Sequence, residues 1–185
     1  TAEFATEVNG VRVTGTIDRR REGTPLHFTA RARMAEFEVV SFHGLGNDSP
    51  QGAAGFFSVA QRQWLVQPAL AFALSDRSDI SLGPVLQYST TEDTPGSFLS
   101  VTEPYGSGNF GQAGMRLGVY LDKRDQPRYP RSGLLLDLSG AWYPGVWDVA
   151  TGFTVLQAAS AVYVTLPVPL RPVFVARGAA KKVSG

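Results

Sequence analysis

The 185-residue chain has no cysteine. No disulfide framework, thiolate nucleophile, zinc–thiolate site or iron–sulfur cluster can be built from it. Histidine is scarce too. His27 and His43 are the only two, which excludes an all-histidine metal site. An excess of charge of either sign is missing: 17 basic and 16 acidic residues leave +1. Nucleic acid is therefore not an expected partner, because phosphate neutralisation needs a dominant basic patch. No run of ~18 apolar residues occurs, so no transmembrane helix is expected. No signal peptide is recognisable and the first residue is Thr1, so the chain is expected to be an internal segment of a longer or processed protein.

Glycine and proline are in surplus. The 20 glycines and 12 prolines make up about 17% of the chain, against a usual ~12%, which favours many turns over long helices. Good helix formers do not cluster, and the hydrophobic period is two. Ala2, Phe4 and Val8 alternate with Glu3 and Glu7, and Val11, Val13 and Ile17 with Arg12, Thr14 and Thr16. Between them stands Asn9-Gly10, a strong hairpin signal. A two-residue turn there pairs Val8 with Val11 and Glu7 with Arg12. Trp64, Val66, Leu70, Phe72 and Leu74 share a second such face, and Ile80, Leu82, Leu86 and Tyr88 a third. Met115, Leu117, Val119 and Leu121 continue the pattern, as do Leu134, Leu136, Leu138 and Trp142. The phase slips near Ala35, which predicts a bulge.

These stretches predict nine strands, at 2–8, 11–18, 28–42, 56–74, 80–91, 110–124, 133–144, 152–166 and 171–182, the last two with ambiguous facing. Most exceed the ~5–6 residues usual in soluble sheets, and several reach the ~9–11 that cross a bilayer at a tilt. Alternation alone fits a transmembrane barrel, a soluble β-sandwich or a lipocalin-like barrel equally. Three features favour the membrane barrel. The polar face carries Gly, Ala, Ser and Gln more than Lys and Glu, and only 18% of the chain is charged. Connectors at 43–55, 92–109 and 145–151 are longer than those at 75–79, 125–132 and 167–170, as in barrels with long loops on one side. The tight Asn9-Gly10 turn and a ten-residue connector at 18–27 break that parity. Trp64, Tyr88, Trp142, Tyr143 and Trp147 fall towards strand ends, where interfacial aromatic girdles lie.

Residues 122–133 read Asp122-Lys123-Arg124-Asp125-Gln126-Pro127-Arg128-Tyr129-Pro130-Arg131-Ser132-Gly133. Pro127 and Pro130 cannot donate ladder hydrogen bonds, so a strand must stop there, and Gly133 gives the backbone freedom to start the next. Asp122 and Arg124 fall on the polar phase, where a lumen-facing pair would be hydrated and open to bridging from neighbouring strands. By itself this is also a charged surface turn. The stretch resembles the Asp-x-Arg-Asp…(Phe/Tyr)-Pro-x-x-Gly signature of the bacterial surface-antigen family, the barrel domain of BamA- and TamA-type outer-membrane assembly proteins. Asp122, Arg124, Asp125, Tyr129, Pro130 and Gly133 carry the match. Upstream, Phe42-His43-Gly44-Leu45-Gly46-Asn47 resembles the family's (Tyr/Phe)-x-Gly-x-Gly-Asn loop through Gly44, Gly46 and Asn47. Downstream, Val173 to Gly178 resembles the strand that carries an inward arginine, here Arg177. The three matches follow the family's order and spacing, and the likeness covers the chain from about Phe28 onward.

The resemblance implies an all-β fold: an antiparallel meander of about nine long strands forming part of a 16-stranded transmembrane β-barrel, roughly its third to eleventh strands. The whole of 1–185 is then one partial barrel domain, without the family's periplasmic repeats, lid-loop motif and closing strands. It also implies residence in the bacterial outer membrane and a role in inserting or translocating outer-membrane proteins. The partners implied are the lipid bilayer, unfolded outer-membrane clients, and accessory lipoproteins or periplasmic chaperones. Two alternatives stand beside it. One is a barrel anchor or export pore fused to a patatin-like or metallophosphoesterase hydrolase domain. The other is a soluble β-barrel binding a small apolar ligand.

No enzymatic constellation emerges. No Ser/His/Asp spacing links His27 or His43, and Asp76, Asp79 and Asp93 lack a calcium-loop pattern. Gly106-Ser107-Gly108 precedes no helix that would cradle phosphate, and Arg19-Arg20-Arg21 reads as a solvated turn. No cofactor, metal or catalytic residue is expected.

Overall fold

The computed structural model describes residues 2–7, 10–20, 23–43, 52, 54–92 and 94–185. Their strands are β1 (Ala2–Glu7), β2 (Gly10–Arg20), β3 (Leu26–Ser41), β4 (Ser58–Ser75), β5 (Ser78–Glu92), β6 (Asn109–Asp122), β7 (Gly133–Tyr143), β8 (Phe153–Thr165) and β9 (Val173–Ser184). They lie side by side in chain order, joined by eight antiparallel ladders. β1 and β9 do not pair with each other, so the all-β meander is an open sheet.

Three local expectations are corrected. The β1–β2 ladder pairs Glu7 with Gly10 and Ala5 with Arg12, where Glu7 with Arg12 is expected, so Gly10 belongs to the ladder; Val8 and Asn9 lie outside the described residues. The register moves by two positions. Because the side-chain period is also two, that slip keeps the expected phase. The irregularity expected near Ala35 lies between Phe37 and Val40, where β3 shifts by one residue against β4. The connector expected at 18–27 shrinks to 21–25, because β2 and β3 extend into it and pair Arg20 with His27. Two short helical elements also sit in the longest connectors, a 3-10 turn at Ala54–Phe57 and α1 (Phe98–Thr102). Ser97 caps α1 by accepting the Ser100 N–H.

The two faces of the sheet differ in kind. One carries Phe28, Val66, Leu70, Phe72, Ile80, Leu82, Leu86, Leu117, Leu138 and Leu156, all exposed. Leu70 is 58% accessible and Leu117 50%. Val119 and Leu136 lie on this face half-buried. No helical layer covers it among the described residues. The other face carries Arg31, Arg33, Arg116 and Arg177 with Gln63, Gln67, Gln87, Gln112 and Gln157. A cavity of about 490 Å³ on that side is lined from β3 (Arg31, Arg33) through to β9 (Lys181, Val183). Strands six places apart in a flat sheet stand ~29 Å from each other, at ~4.8 Å per strand. Sharing one cavity of this size requires the sheet to curl, with the polar face inside the curve. The strands at 152–166 and 171–182 take an unambiguous facing from their ladders: Gln157 opposes Lys181 on the inner side, Leu156 opposes Lys182 on the outer.

Candidate functional site

At the end of the sheet where β6 hands over to β7, the connector 123–132 folds on its own polar side chains. Asp122 is the last residue of β6. Its carboxylate accepts two hydrogen bonds from the Arg124 guanidinium, Nε to Oδ1 and Nη2 to Oδ2, both 2.9 Å. Oδ1 also accepts the Arg124 N–H at 3.1 Å. Paired N–H groups meeting paired oxygens are the strongest geometry available to this couple. Arg124 Nη1 then donates to the Pro127 carbonyl. The hydrogen bonds with Asp122, working against burial, hold the guanidinium protonated well above the usual arginine range. The expected hydration of the pair is thus corrected: the Asp122 and Arg124 side chains are only 4% and 14% exposed, while contacts to other strands are present, since Asp122 N–H donates to Ser78 Oγ of β5 and Arg124 shares a cavity with Tyr163 of β8.

Asp125 organises the rest of the turn. Its Oδ1 accepts the backbone N–H groups of Gln126, Arg131 and Ser132. Those bonds, the one from Arg131 foremost, lower its pKa below the ordinary 3.8. Gly133 has φ +112, and a Cβ there would stand 2.3 Å from the Lys123 carbonyl oxygen. Only glycine meets both conditions at once. Neighbouring connectors tie in: Arg77 Nη2 donates to the Arg124 carbonyl and Thr165 Oγ1 to the Arg131 carbonyl. Tyr129 is 80% exposed and Pro130 half-buried, and the turn's hydrogen bonds use neither side chain. Arg177 faces inward from β9, its Nη2 3.5 Å from the Tyr163 hydroxyl, and lines one cavity with Arg124, Tyr120 and Asp137. Structure thus gathers Asp122, Arg124, Asp125, Gly133 and Arg177 at one end of the inner face. Gly44, Gly46 and Asn47 lie outside the described residues.

The opposite end is aromatic. Trp64 opposes Tyr88 across β4 and β5, and Trp147 stacks on Tyr88 with centroids 5.9 Å apart and planes at 21°. Trp142, 55% exposed, also lies on the outer face. Tyr143 does not belong to this set: it points inward, is buried, and stacks on Phe153 at 4.8 Å. Inside the long connectors, Phe42, Phe56, Phe57 and Phe98 make one ring cluster, with His43 against Phe57 at 4.3 Å. Sequence reading overlooked that cluster; the Phe56-Phe57 pair flanked by small residues was its one visible signal. Tyr105 joins the connectors 93–108 and 144–152 by donating to the Asp148 carbonyl and accepting the Ala150 N–H.

His27 is buried on the inner face, its Nε2 4.0 Å from Asp18 Oδ1. His27 and His43 flank β3, one in its first turn of ladder and one beyond its far end, so they share no site. Among the described residues no three His, Asp or Glu side chains converge. What remains with chemical potential is the inner face itself: guanidinium, ammonium and amide donors set in a curved polar wall. Compared with protein-family models, with curated proteins and with solved structures, the chain matches none of them.

Proposed function

We propose that this chain is part of an outer-membrane β-barrel, of the kind the 122–133 turn resembles, and that it serves the insertion or translocation of other β-rich outer-membrane proteins. The observation that carries the membrane reading is the sense of the curvature. Leucine, valine and phenylalanine stand exposed on the outside of the curl, while arginine and glutamine line the inside. A soluble ligand-binding barrel needs the reverse, because water on the outside penalises exposed apolar area by ~25 cal/mol per Å².

The dimensions agree with a bilayer. On β4 the outward apolar series runs from Trp64 to Leu74. Ten rises of ~3.3 Å span ~33 Å along the strand, and a tilt of ~40° reduces that to ~25 Å, the height of an outer-membrane apolar band. Beyond Trp64 the next outward pair is charged: Arg62 Nη2 lies 2.7 Å from Glu36 Oε1. The aromatic row at one end and the charged pair beyond it are where an interface would fall.

The mechanism proposed is physical. A barrel with a weakly paired seam can offer strand edges that template an incoming strand by β-augmentation, and the client's hairpins then fold against that seam, which lies outside the third to eleventh strands that this chain resembles. No covalent step is needed and no catalytic residue is assigned. The assembly role rests on the likeness of the Asp122–Gly133 turn, the Arg177 strand and the residues around Gly44 to the surface-antigen pattern.

The test is reconstitution into phosphatidylcholine–phosphatidylglycerol vesicles with a urea-denatured β-barrel client. Client folding is followed by its heat-modifiable gel mobility. Faster client folding than in protein-free vesicles supports the assembly role. Stable insertion with no acceleration overturns that role and leaves a barrel anchor or export pore. Failure to partition into vesicles overturns the membrane reading altogether.

A further inference from the structure

The inner cavity of about 490 Å³ is lined by four cations, Arg31, Arg33, Arg116 and Lys181, together with glutamines that include Gln112 and Gln157. No carboxylate lines it among the described residues. An adjoining cavity of about 470 Å³ shares Arg31, Arg116, Gln157 and Lys181, and its one acidic residue is Asp137. Arg31, Arg116 and Lys181 come from β3, β6 and β9 and form no ion pair among the described residues. Cations gathered on one concave wall repel one another, and low-dielectric walls focus their field into the space between. The Gln side chains add neutral N–H donors beside the charges. Guanidinium groups suit oxyanions because their donors form a planar fork.

We infer that this inner wall is a binding site for a small, soluble, phosphate-bearing polyanion, held by Arg31, Arg116 and Lys181. The site lies on the face opposite the exposed leucines, so a headgroup tethered to acyl chains does not reach it with its chains in an apolar phase. The volume admits a molecule of several phosphate groups. Asp137 opposes binding from the second cavity, so the site is tuned below its maximum affinity. The inference needs only the curvature of the sheet. It stands or falls separately from the membrane reading.

The experiment is calorimetric titration of the folded protein in neutral detergent with inorganic tripolyphosphate at fixed ionic strength. One-to-one binding that weakens as chloride rises is expected. Arg116→Gln and Lys181→Gln each weaken it about tenfold, the size of one charge-assisted hydrogen bond. Arg128→Gln, in the exposed 123–132 turn, leaves it unchanged. Asp137→Asn strengthens it severalfold, a gain that no folding defect produces. Equal binding by the wild type and by Arg116→Gln/Lys181→Gln overturns the proposal, as does no change in Asp137→Asn. Capture of a poly-glutamate peptide in place of tripolyphosphate overturns it in favour of an acidic polypeptide.

Discussion

The indole of Trp147 occupies the space that a side chain at Gly111 would need: a Cβ built there comes 2.0 Å from Trp147 Cε2. The neighbouring backbone seals the arrangement. Gly111 N–H donates to Asp148 Oδ2 at 2.6 Å, and Asp148 N–H donates to the Gly111 carbonyl at 3.1 Å. Trp147 itself holds φ +62, so the strap 144–152 is strained at the residue that stacks on Tyr88.

Gly111→Ala should therefore lift Trp147 off Tyr88 and cost about 1–3 kcal/mol, as overpacked sites do. With Trp64 and Trp142 replaced by Phe, the emission of Trp147 shifts and its quenching by soluble iodide rises. Unchanged emission would mean that the strap does not depend on this contact.

The Asp122–Arg124 pair predicts a graded response. Arg124→Gln leaves a nearly inaccessible carboxylate without its main donors and should cost about 1–3 kcal/mol. Arg124→Lys keeps the charge, loses the fork and falls between wild type and Gln. The double change Asp122→Asn with Arg124→Gln costs less than the sum of the singles, because it removes the orphaned charge. Urea unfolding of Arg124→Gln, Arg124→Lys, Asp122→Asn and the double variant reads all of this, and strict additivity would show that the pair is not coupled.

The pH response of the 123–132 turn follows from Asp125. Its folded pKa lies below the ordinary 3.8, since the N–H groups of Arg131, Ser132 and Gln126 favour the carboxylate. A depressed acid contributes stability that is complete above its unfolded pKa and disappears as pH falls through the folded one. Amide protection at Arg131 and Ser132, the intrinsic exchange rate relative to the observed rate at the same pH, should thus be full from pH 5 upward and fall below pH ~3.8. Asp125→Asn should abolish that pH step; persistence of the step would assign it to another group.

The two faces of β5 should answer oppositely in a bilayer. Leu82, 54% exposed, lies in the middle of the outer apolar series. Leu82→Arg should destabilise the vesicle-inserted protein by about 2–4 kcal/mol, the mid-plane cost on a lipid-facing strand. Gln87→Ser on the inner face should change stability by less than ~0.5 kcal/mol. The opposite order would place the apolar side away from lipid.

Much of this fold was readable because a strand displays its environment every second residue. Trp64 to Leu74 and Met115 to Leu121 assigned their own faces, and strand ends fell within two residues of the observed ones. The Asp122–Gly133 turn was legible for a local reason: prolines stop a ladder and glycine permits φ +112. Register was less legible. The β1–β2 slip by two positions kept side-chain phase, so the alternation contained nothing to exclude it. Likewise the bulge displaced to Phe37–Val40 depends on what β4 offers across the ladder, which β3 alone does not contain.

The sequence by itself determined the period, the separation of apolar from polar faces and the chemistry of the turns, since each depends on residues within a few positions of one another. Tertiary structure alone decided which face lies inside the curl. Arg31, Arg116 and Lys181 are far apart in the chain and meet in one cavity only because intervening strands bend around it. Curvature is a property of the whole sheet, the sum of twist and packing over many ladders, and no single strand's residues encode it.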